Sequence, residues 1–139
     1  MEELINILHS EGLTLVVKSA DGAIHRFTQR GVKDLLTLAI ERPETLHDAL
    51  IADKAVGKAA AACMISGGVS RVHADVMSQP ALSLLRAYGV NAGYVTLVDH
   101  IINREGTGWC PMEKLSRDLD TPAEIVAALA ARIMRHPAG

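Results

Sequence analysis

Apolar and polar positions change period several times along the chain. Leu4, Ile5 and Leu8 repeat at helical spacing and Gly12 follows, which predicts a short amphipathic helix over 2–10. The period then falls to that of strands. Residues 13–18 (LTLVVK) and 23–28 (AIHRFT) are β-rich runs joined by Ser19-Ala20-Asp21-Gly22, whose Asp-Gly step marks a hairpin. From Val32 the spacing Val32, Leu35, Leu36, Leu38, Ala39 is helical again, and Pro43 reads as its stop. Residues 48–53 (DALIAD) predict a short strand, 54–58 a turn, and the alanine-rich 59–65 a helix closed by Gly67-Gly68. Another strand is expected within 69–77, then a helix over 81–88 opened by Pro80 and closed by Gly89. The run 94–102 (YVTLVDHII) predicts the last strand and 103–109 a polar loop. Cys110-Pro111-Met112-Glu113 then opens a helix, and Asp120-Thr121-Pro122 caps a final alanine-rich one reaching about Met134.

This order predicts one α/β domain over 1–139, with its core in about 13–115 and a helical tail over about 116–135. A hairpin followed by three β-α steps implies a five-stranded mixed sheet whose last three strands are parallel, because parallel neighbours need crossovers of helix length. Helices are expected on both faces. Ligands of such sheets sit beyond the carboxyl ends of the parallel strands, where helix N-termini also point. Residues 53–58 and 103–113 therefore become the candidate segments.

Composition narrows the chemistry. The chain is 49% apolar but only 3% aromatic, with Phe27, Tyr88, Tyr94 and Trp109 as the whole aromatic set, so the core is aliphatic. A formal charge of −2 supplies no broad electrostatic footprint, and neither duplex nucleic acid nor a membrane surface is expected as a partner. The longest apolar stretch, 59–65, is far short of the ~20 residues of a membrane span. The start, with Glu2 and Glu3, lacks the basic region of a signal peptide, so a cytoplasmic location is expected. Cys63 and Cys110 are too few for a disulfide framework and lie outside any zinc spacing.

Cys110 is the sharpest chemical candidate. At the start of a helix its thiol would ionise more readily, with Arg104 reinforcing the effect and Glu113 as proton carrier, which suits a nucleophile for an acyl or glycosyl electrophile. The bland alternative is a small buried residue, since the nearest preceding histidine is His100. Cys63, inside an apolar run, reads as packing. Trp109 either stacks on a ligand ring or plugs the core. Gly106-Thr107-Gly108 has neither Walker nor Rossmann spacing and reads as a loop. His9, His25, His47 and His136 are scattered and read as surface residues.

Two strings, 53–60 (DKAVGKAA) and 102–113 (INREGTGWCPME), complete the picture. Through them and its element order the chain resembles the cytidine-deaminase-like fold in the variant with a helix between the last two strands. Within that fold it looks like a small prokaryotic family of unknown function. The resemblance covers roughly 13–115 and implies a three-layer sandwich around the five-stranded sheet. Active zinc deaminases carry a His-x-Glu at one helix start and a Pro-Cys-x-x-Cys at the next. Overlaying helix starts puts Gly31 and Lys33 near the first pair and Ala55 and Lys58 at the cysteines, none of them a zinc ligand. No metal or other cofactor is expected. His73-Ala74-Asp75 falls in a strand, where alternation separates Ala74 from its neighbours, and is rejected as a metal motif.

Exchanging zinc ligands for lysines turns such a site from metal toward anion. Lys33, Lys54 and Lys58 would lie near helix N-termini that favour phosphate or carboxylate, or would be ordinary solvated residues. Asp53 would orient a ligand hydroxyl or cap a helix. The leading expectation is a zinc-less deaminase-like domain holding a small anionic, nucleotide-like ligand between 53–58 and 103–113. Asn103, Arg104 and Trp109 add contacts there and Cys110 is available for catalysis. Two other readings stay open: a cysteine-dependent transferase or hydrolase on the same site, and a non-catalytic interaction module using the final helix. Self-association is left open as well.

Overall fold

The computed structural model describes residues 1–29, 32–101 and 111–133. Their order is α1 (Glu2–Ser10), β1 (Leu15–Lys18), β2 (Ile24–Phe27), α2 (Lys33–Glu41), α3 (Pro43–Leu46), β3 (Leu50–Val56), α4 (Lys58–Gly67), β4 (Arg71–Ser78), α5 (Gln79–Ala87), β5 (Asn91–Val98), α6 (Pro111–Ser116) and α7 (Pro122–Ile133). The strands form one mixed sheet in the order β2-β1-β3-β4-β5. The β1–β2 hairpin and the parallel β3, β4 and β5 follow the sequence pattern, and β1 also pairs antiparallel with β3. The hairpin closes over Asp21-Gly22, with Gly22 at φ +91° and the Ser19 amide donating to the Ala23 carbonyl at 2.9 Å.

Handedness explains how the helices distribute. Two antiparallel steps make β2 run the same way as β3, so β2, β3, β4 and β5 advance across the sheet in one direction. Right-handed crossovers then place α2, α4 and α5 on the same face. There α4 packs against α2, α5, α6 and α7 around Leu36, Met64, Met77 and Leu85, all fully buried. Among the described residues the opposite face carries only α1, whose Leu4 and Leu8 cover Leu13, Val16 and Ala52. The expected cover on both faces is therefore present but unequal.

Several boundaries move. β3 runs to Val56 instead of ending at Asp53, because Ala55 and Val56 continue the ladder opposite Val76 and Met77. Asp48, expected to open that strand, stands in a turn at φ +57° and donates its amide to the Gly68 carbonyl at 2.8 Å. β5 starts at Asn91, three residues before the expected Tyr94, since its ladder with β4 accommodates Gly93 opposite His73. Pro43 begins the short α3 as well as ending α2. The final helix is capped reciprocally: the Glu124 amide donates to Thr121 Oγ1 at 3.2 Å, and the Thr121 amide donates to Glu124 Oε1 at 3.2 Å. Its apolar face, Ile125 and Leu129, is fully buried on α4, so this face of the helix belongs to the chain's own core. Among the described residues no helix is long and apolar enough to cross a membrane.

Candidate functional site

Because β2, β3, β4 and β5 point the same way, their carboxyl ends share one end of the sheet. The N-termini of α2, α4 and α5 lie at that end too. One row of paired residues, Phe27–Leu15–Asp53–Ala74–Tyr94, crosses all five strands and places Asp53 three residues before the carboxyl end of β3. The topology thus gathers Lys33, Asp53, Lys54, Lys58 and Glu113 at one end of the molecule. The other expected site residues, Asn103, Arg104, Trp109 and Cys110, lie outside the described residues.

Lys58 and Glu113 hold each other's helices. The Lys58 amide, in the first turn of α4, donates to Glu113 Oε1 at 2.7 Å, and the Ile101 amide donates to Glu113 Oε2 at 3.0 Å. In return the Lys58 ammonium donates to the carbonyls of Arg117 at 3.2 Å and Leu119 at 2.5 Å, just beyond α6. A helix N-terminus favours negative charge and the carbonyls beyond a helix favour positive charge, so both contacts are electrostatically matched. Glu113 is only 3% exposed. Gly57 makes room for it: a Cβ there would stand 2.7 Å from Glu113 Oε1. The sequence assigned Lys58 to a bound anion and Glu113 to proton transfer. In the structure the anion at the α4 terminus is the protein's own carboxylate.

Asp53 sits inside β3, and the cap position of α4 is Gly57, which corrects the helix-cap reading. Its carboxylate accepts from the Ala55 amide at 3.2 Å. Burial pushes its pKa up to about 7, with the Asp75 charge adding to the rise and the Ala55 and Lys54 amides opposing it. No cation forms an ion pair with it among the described residues. Lys54 is an exposed strand residue instead of a turn residue, and Lys33 is exposed at the first position of α2, a helix without a side-chain cap.

Lys33, Ala55 and Lys58 offer no zinc ligand, and Ala55 belongs to a strand instead of a helix start. Among the described residues no group of three His, Cys, Asp or Glu side chains is placed to hold a metal ion. His73 and Asp75 share a face of β4, as alternation requires, with Nε2 and Oδ1 at 3.3 Å. Asp75 also meets His9 Nε2 at 2.9 Å, a partner that sequence reading missed because 66 positions separate the two residues. His25 likewise has a neighbour, Ser19 Oγ at 3.4 Å, whose hydroxyl donates to Asp21 at 2.5 Å. Cys63 is fully buried and its thiol is pushed up to about 12, which matches a packing role.

Sheet and helices define an α/β domain with a five-stranded mixed sheet and a polar cluster at the carboxyl end of its parallel strands. More specifically, residues 3–133 match the model of a domain of unknown function (DUF1893), and the chain belongs to that family. The crystal structure of a DUF1893 family protein (TM1506) from Thermotoga maritima is similar, with a TM-score of 0.87 and 30% identity over 95% of this chain and 88% of that one. No curated protein matches the chain.

Proposed function

We propose that the chain is a deaminase-like domain without the zinc chemistry of that fold, binding a small anionic, nucleotide-like molecule at the carboxyl end of β3 and β4. Asp53 carries this reading. A carboxyl that keeps its proton near neutrality donates a hydrogen bond, which suits the carbonyl or ring nitrogen of a base. Lys33 and Lys54 are exposed at the same end of the sheet, and the uncapped α2 terminus adds free amides for a phosphate. In this reading Asn103, Arg104 and Trp109, from the segment after β5, complete the pocket, and Cys110 is its nucleophile.

The proton on Asp53 links binding to pH. An anion beside Asp53 favours the protonated form, so affinity rises as the pH falls from 8 to 6. Calorimetric titration of the full chain with nucleoside monophosphates, nucleosides and inorganic phosphate tests the proposal. A nucleoside monophosphate is expected to bind more tightly than phosphate or the nucleoside alone. Replacing Lys33 and Lys54 together by alanine weakens it roughly tenfold or more, the effect of about 1.4 kcal/mol. Asp53→Asn flattens the pH dependence. Absence of binding across all three groups of compounds contradicts the proposal.

A further inference from the structure

β5 is the last strand of the sheet, and among the described residues nothing pairs with its outer edge. Such an edge presents a row of free N–H and C=O groups, which natural proteins usually blunt with charge, proline, bulges or short length. The other edge, β2, is blunted: it has four residues, including His25 and Arg26. β5 is not. Its eight residues, NAGYVTLV, contain neither a charge nor a proline, and it pairs with β4 along its length, from Arg71↔Asn91 to Ser78↔Val98. Val95 is 70% exposed, and Tyr94 and Leu97 are exposed beside it.

We propose that this edge pairs antiparallel with the same edge of a second copy, joining two sheets of five strands into one of ten. The occupant follows from symmetry and charge. A two-fold axis at Val95 sets that residue opposite its own copy, Tyr94 opposite Thr96 and Asn91 opposite Asp99, a self-complementary register with β-branched side chains at its centre. The charges nearest the edge are placed for the same operation. Arg71, exposed on β4 in register with Asn91, marks one end; Asp99, exposed after Val98, marks the other. Neither has an ion-pair partner among the described residues. Antiparallel pairing brings each Asp99 to the Arg71 end of the other copy, whereas parallel pairing would set Asp99 beside Asp99.

Size sets the affinity. A strand of this length spans about 26 Å on a sheet about 10 Å thick, a footprint of a few hundred Å² per copy. That falls below the ~800 Å² per partner of a standard interface, so the dimer is weak, with a dissociation constant of roughly micromolar or higher.

Sedimentation equilibrium of the full chain tests the pairing, with far-UV circular dichroism verifying that each variant is folded. A dimer fraction that grows with concentration is expected. Val95→Lys, which sets like charges against each other at the axis, is expected to weaken the dimer at least tenfold. Asp99→Arg also weakens it, and Asp99→Arg combined with Arg71→Asp restores it. A protein that stays monomeric throughout, or a dimer indifferent to Val95→Lys, overturns the pairing. A double charge exchange that fails to restore the dimer overturns the antiparallel arrangement.

Discussion

Two carboxylates at the same end of the sheet illustrate how burial assigns opposite tasks to one functional group. Glu113 is buried among amide donors and serves as the negative charge at the α4 terminus, with Gly57 giving it space. Truncating it to alanine leaves two partly buried amides without acceptors and is expected to cost about 1–3 kcal/mol in denaturant unfolding. Gly57→Ala forces the same carboxylate aside and is expected to cost about 1–3 kcal/mol, while Glu113→Gln retains most of the stability. Asp53 is buried without a cationic partner among the described residues, and its pKa is pushed up to about 7. Between about pH 4 and pH 7 the native state holds a proton that the unfolded chain has released. Asp53 therefore favours folding at the acid end of this window, and that contribution is lost as the pH rises toward 7. At roughly 1.4 kcal/mol per pH unit the full swing is about 4 kcal/mol. Asp53→Asn removes it, so the stability of the variant relative to the native protein is higher at pH 8 than at pH 5. Urea titrations of both proteins at the two pH values measure this difference, and equal differences would contradict the burial of an unpaired carboxyl.

Element by element, local signals in the sequence carry far and then stop at particular residues. Asp21-Gly22 specifies the hairpin, and the spacing from Val32 to Ala39 specifies α2, because turn chemistry and periodicity act over a few neighbours. The end of β3 is invisible locally: Lys54 and Ala55 look like a turn, and only the neighbouring β4 makes them strand. Gly93 hides the start of β5 in the same way. The site divides along the same line. Its position follows from the parallel topology, but the bonds between Lys58 and Glu113 join residues 55 positions apart and have no local signature beyond a glycine preceding a lysine. The final helix looks like a detachable tail by sequence, yet its buried Leu129 faces α4. Leu129→Ala is accordingly expected to destabilise the whole domain by about 2–5 kcal/mol, as a core truncation does. A loss below about 0.5 kcal/mol would place the helix outside the cooperative unit.

For the whole molecule, one-directional advance of four parallel strands explains both where the core lies and which residues share the carboxyl end of the sheet. It stacks α2, α4 and α5 on one face, leaves only α1 of the described helices on the other, and brings the strand ends, Lys33 and Lys54 toward a single end, with Asp53 a few residues inside β3. The hairpin tip at Gly22 and the turns at Gly68 and Gly89 lie at the opposite end and serve as an internal control. Amide chemical shifts of the isotopically labelled full chain, recorded at pH 7 with increasing nucleoside monophosphate, test the placement of the site most directly. Saturable shifts at Lys33, Lys54 and Ala55, with Gly22, Gly68 and Gly89 unmoved, are the predicted result. Shifts centred on the hairpin tip, or none at millimolar ligand, would contradict a binding site at the carboxyl end of the sheet.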